Sequence, residues 1–171
     1  SGTIAILVAV FAMLIYIWLR FEWQFSLGAV IALLHDVILT IGVFCLTQLE
    51  FNLPIIAAIL TIVGYSMNDT VVVYDRVREN LRKFRSKEIT SLLNLSINET
   101  LSRTIVTSVT TLLALFSLYI FGGEVIKGFT FAMIWGVLVG TYSSIFVAAP
   151  LLTYLDVKRE WNTTTAVDST K

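Results

Sequence analysis

Asp69 is a carboxylate placed near the end of an otherwise apolar run. An ionised side chain at the centre of a spanning helix costs about 2.5–3.5 kcal/mol on insertion scales. Such residues usually turn inward and mark a path for ions or protons. At about 1.5 Å per residue, Asp69 lies roughly 9 Å inside Asp75, the first charge of the segment that follows. Thr61, Tyr65 and Asn68 recur near it at helical spacing and predict a shared polar face. Arg103 opens another apolar run from the same side, which sets it at a similar depth. Thr107, Thr110, Ala114 and Ser117 continue its helix face, flanked by Ser108 and Thr111. Small and hydroxyl-bearing residues let helices approach closely and bond across the gap. Burial favours a neutral Asp69 and Arg103 favours an ionised one. A proton relay and a static ion pair both fit these two residues.

His35 and Asp36 stand midway along a further apolar run. Adjacent residues point in different directions on a helix, so no dyad is expected. Asp36 is expected to join the polar interior or to make a structural contact. His35 is the chain's one histidine, and no cysteine or carboxylate cluster has metal-ligand spacing. No metal or other cofactor is expected. Cys45 is the one cysteine, which excludes an intrachain disulfide and predicts a buried, inert thiol. There is no phosphate-binding glycine loop, nucleophile elbow or zinc signature, so no enzyme is expected.

The elements that must position these groups are helices. Of the residues, 57% are hydrophobic and 14% charged, against about a quarter charged in a soluble domain. Net charge is zero, so no general field favours nucleic acid. The expected fold is an all-α, polytopic membrane bundle. Five spans are predicted, at about 2–19, 25–47, 53–74, 101–121 and 125–152. Pro54 suits a first helical turn, and Pro150 is expected to kink or close the last span. Residues 75–100 form a charged segment in which Leu81, Phe84, Leu92, Leu93, Leu95 and Ile97 are interspersed. They predict one or two short amphipathic helices at the membrane surface, whose basic residues would attract anionic lipid. Residues 156–171 are a polar tail expected to lack structure. Gly136 and Gly140 form a GxxxG, a common motif that predicts close helix packing. Asn98 and Asn162 fit a glycosylation pattern that carries little weight in cytoplasmic segments.

Orientation follows from the basic residues. Of twelve, Arg76, Arg78, Arg82, Lys83, Arg85 and Lys87 crowd the 75–100 segment. Arg20, Arg103, Lys158, Arg159 and Lys171 fall on that same side if five helices alternate, and only Lys127 falls opposite. The 75–100 segment and the C-terminus are therefore expected in the cytoplasm, with the N-terminal end outside. The chain is apolar almost from its first residue and has no basic region ahead of that run, so it is expected to be a piece of a longer protein.

The stretch GYSMNDTVVVYDRVREN at 64–80 resembles the signature of the SecF family of bacterial protein-export subunits. LHDVILT at 34–40, LSRTIVTSVTT at 101–111, FGG at 121–123 and KGF at 127–129 are similar to further family stretches, covering the chain to about residue 155. The resemblance implies membership of the resistance–nodulation–division superfamily. It also implies a six-span protein with a periplasmic domain between spans one and two, of which this chain holds spans two to six. It implies a proton path through Asp69 and Arg103, with Thr107 lining it and Asn68 and Asp36 in support. The implied partners are SecD, the SecYEG translocon, the preprotein in transit and membrane lipid, in the bacterial inner membrane. Proton flow would drive periplasmic domains that draw the preprotein outward. A small-molecule exporter of the superfamily and a non-conducting structural subunit are the competing readings.

Overall fold

The computed structural model describes residues 2–48, 50, 52–155 and 157. Among the described residues six α-helices follow one another: α1 (Gly2–Arg20), α2 (Trp23–Thr47), α3 (Leu53–Lys83), α4 (Ile89–Phe121), α5 (Glu124–Ser143) and α6 (Ala149–Tyr154). A π-helical turn, Ser144–Ala148, joins α5 to α6. Among the described residues, five helical segments are long and apolar enough to cross a membrane, with α5, the π turn and α6 forming one of them. The polar tail, with Lys158, Arg159, Asn162 and Lys171, lies outside the described residues apart from Val157.

Local sequence sets the helix ends. Asn52 caps α3, its side-chain oxygen accepting from the Ile55 backbone N–H at 3.3 Å, with Pro54 in the first turn where no N–H partner is needed. Gln48 ends α2 in a left-handed conformation, φ 54°. Gly123, φ 78°, turns the chain from α4 into α5, a conformation that glycine adopts at little cost. Pro150 does not close the last span, which continues through α6. Its ring would crowd the carbonyl four residues back, and that carbonyl, on Phe146, lies in the widened π turn, so the helix continues.

The charged segment at 75–100 is helical, but its helices are not separate. α3 runs on to Lys83 and α4 starts at Ile89, so the two form a hairpin closed by a short turn. With 31 and 33 residues, they are roughly 46 and 50 Å long, against a hydrocarbon core of about 30 Å. The extensions hold each other by polar contacts. Arg76 Nε donates to Glu99 Oε2 at 2.6 Å. The buried Asn80 amide donates to Ser96 Oγ at 3.0 Å and to Glu99 Oε2 at 2.7 Å. Arg20, at the end of α1, pairs with Asp75 at 3.1 Å.

α3 and α5 make the most extensive contact. Glycine explains it: a Cβ on Gly136 would run into Ile62, and one on Gly140 would approach the Ser66 Cβ to 3.1 Å. Two apolar clusters bracket this seam. One gathers Phe21, Phe25, Tyr74, Val77, Leu92 and Leu152 toward the hairpin end. The other gathers Phe44, Ile55, Ile59, Leu115, Met133 and Val137 toward the opposite end. In α3, Ser66 and Asp69 fall between Ile62 of one cluster and Val73 of the other. α1 and α4 leave broad apolar faces exposed, among them Leu7, Phe11 and Trp18 on the first and Val106, Leu113 and Ile120 on the second. Cys45 is exposed rather than buried, because its position near the end of α2 projects away from the seam.

Candidate functional site

Asp36, expected only as a supporting residue, is the most connected carboxylate of the bundle. It is buried in α2, at 1% exposure. Its Oδ2 accepts from Ser66 Oγ on α3 and from Ser143 Oγ on α5, the latter at 2.7 Å. Its Oδ1 lies 3.1 Å from His35 Nδ1. The expectation that sequence neighbours cannot pair is thereby corrected: Asp36 is buried, and the half-buried His35 ring lies against its carboxylate. One turn on, Thr40 Oγ1 donates to the Asp36 carbonyl at 2.7 Å. One side chain thus ties three helices at a single level.

Asp69 is also buried, at 4% exposure, but its surroundings differ. Its Oδ2 is enclosed and has no hydrogen-bond partner among the described residues. Arg103 on α4 is the cation whose charge reaches it, yet no ion pair within 4.0 Å joins the two among the described residues. Arg103 itself is exposed on the α4 surface.

The other expected site residues do not gather around Asp69. Asn68 is exposed and lines a shallow groove between α1 and α3 with Met13, Tyr16 and Met67. Adjacent to Asp69 in sequence, it is turned about 100° round the helix. Thr61 is exposed as well, its hydroxyl donating to the Ala57 carbonyl at 2.8 Å. Thr107 is exposed, and its hydroxyl is taken by the Arg103 carbonyl of its own helix. Thr110 and Ser117 bond to their own helix in the same way. The buried hydroxyl stripe of α4 is the neighbouring face: Ser96, Thr100, Thr104 and Ser108. Counting from Arg103 selects the wrong face, because Arg103 does not point into the bundle.

Ser108 extends the polar level around Asp36. Tyr65 Oη donates to Ser108 Oγ at 3.3 Å. Ser108 Oγ lies 2.7 Å from Thr141 Oγ1. Thr141 donates to the Val137 carbonyl at 2.7 Å, so Ser108 supplies the proton between the two hydroxyls. Tyr65 and Ser66 are neighbours on α3, and Thr141 and Ser143 are close on α5. Polar side chains therefore cross the bundle from α2 to α4 at one depth, one turn from Asp69. Sequence reasoning missed Ser66, Thr141 and Ser143. For Thr141 and Ser143 the signal was the continuation of the Gly136–Gly140 face into the small polar residues Thr141, Ser143 and Ser144.

Comparison with known proteins agrees with this architecture. A family model described as the C-terminal region of the protein export membrane proteins SecD/SecF matches residues 1–158. The protein translocase subunit SecF of Rickettsia rickettsii is 57% identical over 162 residues, covering 95% of this chain and 52% of the relative. SecF of Cereibacter sphaeroides is 57% identical over 159 residues, 93% of this chain and 49% of the relative. The chain thus spans about half the length of these relatives. The crystal structure of SecDF from Thermus thermophilus, described as a translocon-associated membrane protein, superposes with a TM-score of 0.87 at 45% identity, covering 92% of this chain and 22% of that one.

Proposed function

Because the chain belongs to the SecD/SecF C-terminal family of protein export membrane proteins, we propose that it is the membrane part of a proton-coupled accessory subunit of the bacterial Sec translocon. In this reading it works with SecD beside SecYEG, in the inner membrane, on a preprotein in transit, and performs no enzymatic step. The α3–α4 hairpin end, with its concentration of Arg and Lys, lies in the cytoplasm, following the charge asymmetry. Protons cross through Asp69, with Arg103 as the responsive cation.

The observation that carries this reading is the state of Asp69. It is enclosed among helices, one oxygen is without a hydrogen bond among the described residues, and a guanidinium acts on it from beyond contact distance. An oxygen so placed can accept a proton without first breaking a bond. Arg103, exposed beside it, can approach when Asp69 is ionised and withdraw when it is neutral, which couples protonation to movement of α4 against α3. The driving force suffices, since one charge crossing 100 mV contributes about 2.3 kcal/mol. A static ion pair fits less well, because the two groups are not in contact. The test is Asp69→Asn in the complete subunit assembled with SecD. Proton flux and proton-driven export should be lost while assembly stays normal. Normal flux in that variant would leave only a packing role.

A further inference from the structure

The path through Asp69 as proposed does not draw on Asp36, whose burial raises a separate question of charge. Its side chain is 1% exposed, and that of His35 33%. The ion pairs of Arg20 with Asp75, Arg76 with Glu79 and Glu99, Arg78 with Glu22 and Lys127 with Glu124 do not reach Asp36. The elements packed on α2 are α1, α3, α5, the π turn and α6. From α3, Asp69 stands one turn beyond Ser66. The Tyr65 hydroxyl is engaged by Ser108 and the Tyr74 hydroxyl by the Ala148 carbonyl. On α5, Tyr142 is exposed and stacked on Phe146, and Glu124 and Lys127 pair with each other at the helix start. On α1, Tyr16 is exposed and Arg20 bonds Asp75. The π turn holds no titratable group, and α6 holds only the exposed Tyr154. His35 is therefore the ionisable nitrogen in contact with Asp36.

A lone carboxylate enclosed in a helix bundle is strongly unfavourable. Two arrangements remove the net charge with the same single proton. An imidazolium can face an ionised carboxylate, or a neutral ring can accept from a protonated one. The proton passes between them across the Nδ1–Oδ1 contact alone, while both serines keep donating to Oδ2. Loss of the proton from Nε2 leaves Nδ1–H donating to ionised Asp36, and uptake at Nε2 restores the pair. Of the two groups in contact, the carboxylate is the more deeply enclosed and the ring the less.

We propose that His35 and Asp36 together hold one exchangeable proton, forming a second proton site about one helical turn in level from Asp69. Its place in a proton path rests on the Asp69 reading. Its existence does not.

The experiment is 15N NMR of the histidine-labelled complete subunit in lipid, with His35 assigned by comparison with His35→Gln, together with infrared spectroscopy of the carboxyl band. At neutral pH we expect one of two signatures. Either both His35 nitrogens are protonated, or a protonated-carboxyl band is present that Asp36→Asn removes and Asp69→Asn leaves. A neutral ring beside an ionised Asp36 overturns the proposal. Proton flux adds a second readout. His35→Gln keeps both serine contacts of Asp36 and should slow flux about tenfold. Unchanged flux in that variant, with flux lost in Asp69→Asn, overturns the pair's place in the path and leaves the Asp69 reading standing. Flux that survives Asp69→Asn sinks the earlier reading instead, and the spectra still decide the pair.

Discussion

Asp36 and Asp69 are two buried carboxylates about one helical turn apart in level, and the bundle treats them oppositely. Asp36 has each oxygen engaged, by two serines from different helices and by the His35 ring. Asp69 has an enclosed oxygen without a hydrogen bond among the described residues and a cation out of contact. A carboxylate with its acceptor sites filled stays where it is and fixes its neighbours. One with an open site has room for a further donor. Two carboxylates of similar burial thus differ in how many of their acceptor sites are satisfied, and that difference, not burial, sets them apart.

The contrast can be broken most forcefully at Arg103. If Asp69 and Arg103 act as one unit, Arg103→Ala should reduce proton flux about 100-fold or more, and adding Asp69→Asn should reduce it no further. Additive losses, measured as flux in proteoliposomes, would separate the two residues. Next in size is the seam that sets the level of both carboxylates. Gly136→Val drives a side chain into Ile62 and should lower unfolding stability in detergent by about 1–3 kcal/mol. An unchanged melting temperature would mean that α3 and α5 are not so closely packed. Removing a serine from the Asp36 anchor should cost less. Ser66→Ala and Ser143→Ala should each lose about 0.5–1.5 kcal/mol, and the double variant should lose more than the sum, since the last hydroxyl on Oδ2 then goes. Smallest is the hairpin end. Asn80→Ala should cost about 1 kcal/mol, whereas Arg76→Ala, at the surface, should leave the melting temperature unchanged within error.

Much of the fold could be read from patterning. The five apolar stretches, the Asn52–Pro54 helix start and the close-packing Gly136–Gly140 face are local statements, and local chemistry decides them. The extent of α3 and α4 was not readable in this way. Residues 75–100 alternate charge and leucine, and whether such helices lie apart or continue their spans depends on pairing across the hairpin, as Asn80 with Ser96. The same limit applied to the site. The burial of Asp69 followed from its setting, but Thr107 and Asn68 required knowing which face of each helix turns inward. Arg103 misled that choice, because a long side chain can act on a buried group from an exposed position.

The sequence by itself determined that this chain is a membrane helical bundle with carboxylates inside it, because apolar length and the cost of burying charge are properties of each segment alone. Only the tertiary structure decided that Asp36 is held by Ser66, Ser143 and His35 while Asp69 keeps an oxygen open. Those partners lie on different helices or on the adjacent residue's ring, and helical spacing within one segment does not say what the next one presents to it.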